Sequence, residues 1–301
     1  MLNEPSQGDP KSPETPRAPR SHPLESDRPR QSASAPSDAP RQQIMLHIPT
    51  VQPYVVYSLL GIMIAIFVLR ALSPTFDIEV FFWGANHQPD VLNQGEFYRL
   101  FTSMFLHASI YTPNGTFALQ NSLHLLFNAY ILFVSGGAVE RMFGHTRFSI
   151  IFVLGGMTGS ILSCVLGSPM SYSVGASGAV FAVLGAEFVY IFKHRKLLGA
   201  QGRRQMQSLI TLAVFNLLFG ILSSASPTAM RIDNWAHLGG ALGGLTLAWF
   251  IAPDLIFRRH PEIPNELLAD DRNPLQRHYR EVSLYVAGML GVLIVASHVI
   301  G

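Results

Sequence analysis

The sequence predicts an all-α, polytopic membrane helical bundle, and three observations lead there. Of the 301 residues, 49% are hydrophobic and only 13% are charged, where a soluble domain carries about a quarter. The charges are unevenly spread. Between them lie seven apolar segments, at about 54–72, 118–138, 148–168, 175–192, 208–224, 233–251 and 282–300. Most are close to the ~20 residues that a helix needs to cross ~30 Å of hydrocarbon. The formal net charge of +2 leaves no footprint for nucleic acid. The single cysteine, Cys164, excludes an intrachain disulfide.

Residues 1–43 are a different material. Eleven of the 20 prolines fall within the first 53 residues, among Ser, Arg, Asp and Gln. With no apolar periodicity, such a segment is expected to be a disordered tail. It has no apolar centre for a signal peptide, and its acidic residues argue against an organelle transit peptide.

Orientation follows from Lys and Arg. With the amino terminus in the cytoplasm, twelve of them outside the tail fall on the inner side, and only Arg70, Arg99 and Arg231 on the outer. The expected order is the tail 1–43, a six-helix core within 44–252, a cytoplasmic linker 253–281 and a seventh helix in 282–301. The outer loop, about 73–117, holds Phe81-Phe82-Trp83, Phe97-Tyr98 and Phe101. That aromatic content suits short helices lying partly in the outer leaflet. Asn114-Gly115-Thr116 is a formal glycosylation sequon, of use only in a eukaryote.

In this topology segments two, four and six all run inward. His124 and Asn128 lie early in segment two, Ser177 at the start of four and His237 early in six. At 1.5 Å per residue the two histidines are roughly 6–10 Å below their helix starts. Ser177 begins its helix so early that the loop before it must dip below the surface. Polar side chains in a membrane are costly and normally face a partner or a watery cavity. Four of them at one depth make a site.

Ser177 is a candidate nucleophile and His237 its base. Gly178, Ala182 and Gly185 on segment four and Gly239, Gly240, Gly243 and Gly244 on segment six permit close backbone approach. His124 and Asn128, four apart, project from one face and can offer N–H donors to an oxyanion, beside the Ser177 backbone N–H. No acid is evidently placed to orient His237, so the expectation is a dyad; Asp233 stays unassigned. Position 179 is Ala, so Gly175 to Ala179 is not the G-x-S-x-G elbow of soluble hydrolases. No H-E-x-x-H occurs, and neither metal nor cofactor is expected. Glu187, about 15 Å below Ser177 by helix rise, is expected to pair with a group such as Asn216 or to reach the inner surface. His107 and His298 are read as structural or interfacial.

Four motifs carry a family resemblance. Gly175-Ala176-Ser177-Gly178 resembles the G-x-S-G of the rhomboid intramembrane serine proteases. Ala236-His237-Leu238-Gly239-Gly240 is similar to their A-H-x-G-G. His124 to Asn128 resembles their H-x-x-x-N. Gly136-Gly137-Ala138-Val139-Glu140, with Gly144, resembles the turn after their second helix. The resemblance spans roughly 54–252 and implies a rhomboid-like six-helix core plus one. It implies a Ser177–His237 dyad, an oxyanion hole from His124, Asn128 and the Ser177 N–H, and support from Gly175 and Gly178. The departures are Tyr98-Arg99 where the family often has Trp-Arg, Phe181 where a tyrosine often stacks on the histidine, and about ten inserted residues at Tyr111–Gln120.

The resemblance further implies transmembrane protein substrates within the lipid bilayer, cleaved near the outer face, and in a bacterium a plasma-membrane location. Two other readings stay open from the sequence: a catalytically silent rhomboid-like protein that binds membrane proteins, and a transporter. The latter expects internal repeats, and none is convincing.

Overall fold

A computed structural model describes residues 45–47, 49–112, 116, 119–224, 232–263 and 266–300. The tail 1–43, Asn114 and Gly115 of the sequon, half of the inserted stretch and Arg231 lie outside the described residues.

A short strand β1 (Met45–His47) precedes the first long helix, α1 (Tyr54–Ala71). No side chain of its own caps α1. Glu140, fully buried, does so from a distance: its two carboxylate oxygens accept the Val55 and Val56 N–H at 2.9 and 2.8 Å, and one also pairs with His145 Nδ1 at 2.6 Å. A carboxylate there satisfies orphan donors and meets the positive end of the helix dipole.

The outer loop folds as short helices. Helix α2 (Pro74–Gly84) starts with Ser73 accepting the Phe76 N–H and Pro74 in the first turn, a sequence-legible start. Strand β2 (Asn86–His87), α3 (Gln88–Leu92) and α4 (Arg99–Thr102) follow. Arg99 knits this loop together. Its guanidinium donates to the carbonyls of Phe82 (2.5 Å) and Ala85 (3.1 Å) and pairs with Glu96 and Asp90. Tyr98 stacks on Trp83.

The second span is α5 (Leu123–Ile131), a π turn at Leu132–Gly136 and α6 (Gly137–Phe143), ended by Gly144. Helix α7 (His145–Leu166) leads to the two-residue strand β3 (Tyr172–Ser173), which pairs antiparallel with β2. Then come α8 (Ser177–Lys193), α9 (Arg195–Ser224) and α10 (Asn234–Ile251). Helix α9 begins well before the expected 208 because Arg195–Gln207 is polar but contains good helix formers; the chain breaks within it at Gly199.

The segment expected to be a linker, 253–281, contains two strands. Strands β4 (Leu255–Arg259) and β5 (Glu266–Asp271) form an antiparallel hairpin, and β1 joins β5 in parallel. Helix α11 (Tyr279–Val299) closes the chain, tied to α7 by a 2.5 Å hydrogen bond between the Tyr285 and Thr158 hydroxyls.

Among the described residues five helices are long and apolar enough to cross a membrane: Tyr54–Ala71, Leu123–Phe143, His145–Leu166, Arg195–Ser223 and Leu275–Val299. Their outer faces carry exposed Ile62, Val68, Val214, Leu218, Phe219, Val292 and Ile294, a surface suited to lipid rather than water. The other two long helices are α8 and α10, and α10 packs one face on α7 and α8 while Leu238, Leu242 and Trp249 on the other are exposed. Helix α8 is almost wholly buried, with Val180, Val183 and Leu184 packed among Phe148 and Phe152 of α7 and Leu247 and Ile251 of α10. A second cluster seats the outer loop, through Val91, Leu92 and Leu100, on Ile161 and Cys164 of α7 and Leu293 and Ala296 of α11. The architecture is a polytopic membrane helical bundle with a small sheet on the linker.

Candidate active site

Ser177 is the first residue of α8, half-buried, and its approach is set by Gly175. Gly175 has φ of +129°, which side-chain-bearing residues rarely adopt, and its N–H donates to the Ser103 carbonyl at 2.9 Å. The His124 ring packs against Gly175 so closely that a methyl there would collide with it. The supporting role expected of Gly175 therefore has two physical parts, backbone conformation and room for His124.

Helices α8 and α10 cross at backbone contact. A side chain at Gly240 would strike the Gly178 carbonyl, and one at Gly244 the Ala182 carbonyl. Gly178 itself faces the Ala236 carbonyl. The residue after Ser177 thus touches the residue before His237, which places the two turns side by side. Without a hydrophobic drive between helices in lipid, such small-residue crossings allow the close packing that holds a bundle together.

His237 is 8% exposed and lies parallel to Phe181, ring centroids 4.2 Å apart and planes 13° from each other. Its Nδ1 has no hydrogen-bond partner among the described residues. Among the described residues no carboxylate is bonded to that nitrogen; a ring face lies against the imidazole instead. Asp233, left unassigned from sequence, caps α10: its Oδ1 accepts the Ala236 N–H at 2.9 Å. Its Oδ2 accepts the hydroxyls of Ser173 (2.5 Å) and Ser163.

Asn128 is buried, and its amide donates to the His124 carbonyl at 2.8 Å, one turn back along α5. That leaves one of the two amide hydrogens for another acceptor. His107 lies 5.3 Å from His124, ring to ring, and is 1% exposed. Its carbonyl accepts from Arg70 at 2.8 Å, and Arg70 is in turn paired with Asp77 at 2.7 Å. His107, expected to be structural or interfacial, packs in the interior beside His124.

Glu187 pairs with a polar group, as expected, but that group is Gln205 of α9, whose amide donates to it at 2.6 Å, while Asn216 donates to the Leu212 carbonyl in its own helix. Gln205 lay outside the expected fifth segment, so the pairing was hidden. Among the described residues no group of three His, Cys, Asp or Glu side chains is placed to hold a metal ion.

Of the expected residues, then, Ser177, His237, His124, Gly175, Gly178 and Phe181 converge on the top of α8, with Asn128 one turn further along α5. Comparison with known proteins bears on the family of the chain. The family model for the Rhomboid domain matches residues 94–254. Rhomboid protease GluP of Bacillus subtilis is 39% identical over 158 residues, 52% of this chain and 27% of that protein. RHOMBOID-like protein 1 of Arabidopsis thaliana is 29% identical over 213 residues, 70% of this chain and 49% of that protein. Inactive rhomboid protein 1 of Danio rerio is 32% identical over 171 residues, 57% of this chain and 17% of that protein. The chain therefore spans at most about half the length of these relatives. With more than half its length matched by the domain, and with the motif-bearing helices assembled as described, the chain belongs to the rhomboid family.

Proposed function

We propose that the protein is an intramembrane serine endopeptidase that cleaves transmembrane segments of membrane proteins with Ser177 and His237. The observation that carries this is the α8–α10 crossing, which sets the turn of His237 against the turn of Ser177 with His124 beside them. Family membership and the protease named among the relatives support it.

In this reading the Ser177 hydroxyl attacks a peptide carbonyl of the substrate, and His237 takes its proton. The oxyanion is met by the Ser177 N–H and by donors from His124 and Asn128. His237 returns the proton to the leaving amine, and water then resolves the acyl-enzyme. The substrate helix must unwind locally to expose its carbonyl, because a membrane helix satisfies every backbone group internally. The amino terminus is cytoplasmic, and cleavage takes place near the outer face.

One relative is named as inactive, so the second reading is a catalytically silent protein that binds membrane segments. One experiment separates the two. Purified protein in liposomes is given a single-span substrate, wild type beside Ser177→Ala. Wild type cleaves, and Ser177→Ala falls by at least about 10³-fold, as loss of a nucleophile does. Equal cleavage by both removes Ser177 from the mechanism; cleavage by neither favours the silent reading.

A further inference from the structure

We infer that Asp233 is a positioning residue for the dyad: its carboxylate ties the strand that presents Ser177 to the first turn of the helix that presents His237. The inference rests on the dyad reading above and gives a role to a residue that reading leaves out.

An N-cap needs one oxygen. Ser, Thr or Asn would serve, and in Asp233 the Oδ1 alone does that work on the Ala236 N–H. The second oxygen is not capping anything. It accepts two hydroxyls, from Ser163 and from Ser173. Ser163 lies on α7, the helix against which both α8 and α10 pack. Ser173 lies in β3, four residues ahead of Ser177. Three separate segments meet on one carboxylate. An ionised carboxylate is the side chain suited to this, because it accepts at both oxygens and donates at neither.

The geometry of His237 explains why such a tie matters. Its Nδ1 has no partner among the described residues, so no hydrogen bond at that nitrogen sets its distance from Ser177. The Phe181 stack fixes the plane of the ring. The spacing is inherited from backbone: where α10 begins, and where the strand before Ser177 runs. Asp233 lies one turn before His237, with the His237 N–H bonded to its carbonyl at 3.1 Å. Its side chain holds the other backbone through Ser173. The far side of β3 is pinned as well, by pairing with β2 and by the stack of Tyr172 on His87, centroids 4.1 Å apart. The tie thus runs between rigid neighbours, the condition under which a displacement is transmitted to the reacting pair.

The test uses the full chain in liposomes with a single-span substrate and compares wild type, Asp233→Asn, Ser173→Ala, Ser173→Thr and the double variant Asp233→Asn/Ser173→Ala. Ser173→Ala leaves the α10 cap intact, so it separates the tie from helix stability. A misplacement on the ångström scale costs up to about 10²-fold. Ser173→Ala and Asp233→Asn are therefore expected to lose about 10- to 100-fold in kcat, with KM within about twofold and the detergent-solubilised protein still folded. Ser173→Thr restores the hydroxyl and most of the rate. The double variant is no slower than the slower single one, as for two groups in one network.

Hydrogen exchange gives a readout that needs no catalysis. Amides 174–178 exchange about tenfold faster in Ser173→Ala than in wild type if the tie exists. Should wild type cleave nothing, the protease reading fails, and exchange alone decides the tie. Unchanged exchange in Ser173→Ala, or an unchanged kcat in an active protein, overturns the inference.

Discussion

His237 lies flat against a neighbouring ring face, and its Nδ1 has no hydrogen-bond partner among the described residues. That makes Phe181 an orienting residue whose loss is measurable. A stacked aromatic pair contributes about 0.5–1.5 kcal/mol beyond area burial, so Phe181→Leu is expected to slow cleavage about 2- to 12-fold, while Phe181→Tyr, which keeps the ring, stays near wild type. Steady-state kcat on a single-span substrate checks both. The residues of the site were legible to different degrees. Ser177, His237 and His124 fall within short local motifs, whereas Phe181 was expected only from the family resemblance. Asp233 was left unassigned, because its hydroxyl partners Ser163 and Ser173 lie 70 and 60 positions away. No periodicity encodes such a pairing. Gln205 was not foreseen as the partner of Glu187 for a related reason: it lies on a helix whose polar start hid its true length.

At the level of elements, the crossing of α8 and α10 is the contact on which the site depends, and its glycines are packing residues. Gly240→Val would drive a side chain into the Gly178 backbone. Overpacking of this kind costs about 1–3 kcal/mol, and here the obstacle is main chain, which cannot turn aside. Gly288 and Gly291 on α11 are the contrast, since nothing lies within 4 Å of a methyl at either. Gly288→Ala gains helix propensity, worth up to about 1 kcal/mol. Thermal unfolding in detergent is expected to fall for Gly240→Val and to hold or rise for Gly288→Ala. The linker sheet carries a pH prediction. Asp271 is partly buried, which by itself would raise its pKa, but N–H donors from Asn273 and Asp254 and the Arg147 guanidinium at 2.6 Å outweigh this and hold it below the usual range. A depressed carboxylate stabilises above its unfolded value of about 3.9 and loses that contribution as pH falls through the lower folded one. Hydrogen-exchange protection of β5 is therefore expected to be flat near neutrality and to weaken below about pH 4, and to lose much of that dependence in Arg147→Leu. The long helices were read from apolar runs with useful accuracy. The strands were not, because each is only two to six residues long and the β1–β5 and β2–β3 pairings join segments far apart in the chain.

For the molecule as a whole, the open question is how many helices cross. Five meet the length and hydropathy of a span on their own, while α8, with 17 residues, and α10, with its histidine and four glycines, do not. Helix α8 is wrapped by other helices and α10 packs its glycine face on α7 and α8, and a helix face whose neighbours are protein need not be as apolar as one facing lipid. Helix α8 rises about 26 Å at 1.5 Å per residue, nearly the ~30 Å of the hydrocarbon core, and it starts after a loop that the outer-loop strand β2 pins in place. We propose seven crossings, with the amino terminus inside by the excess of Lys and Arg. Two crossings more or fewer leave the outer loop and the linker on opposite sides either way, so labelling those two alone would decide nothing. The turn between α8 and α9 is decisive: with seven spans it is cytoplasmic, and with five it is external. Single cysteines at exposed positions read this directly, because Cys164 is 3% exposed and stays silent. In intact cells a membrane-impermeant maleimide is expected to label Gln94→Cys, and to reach Lys196→Cys and Glu262→Cys only after permeabilisation. Labelling of Lys196→Cys from outside would take α8 out of the membrane-crossing set. With it would go the shared depth at which Ser177, His124 and His237 meet.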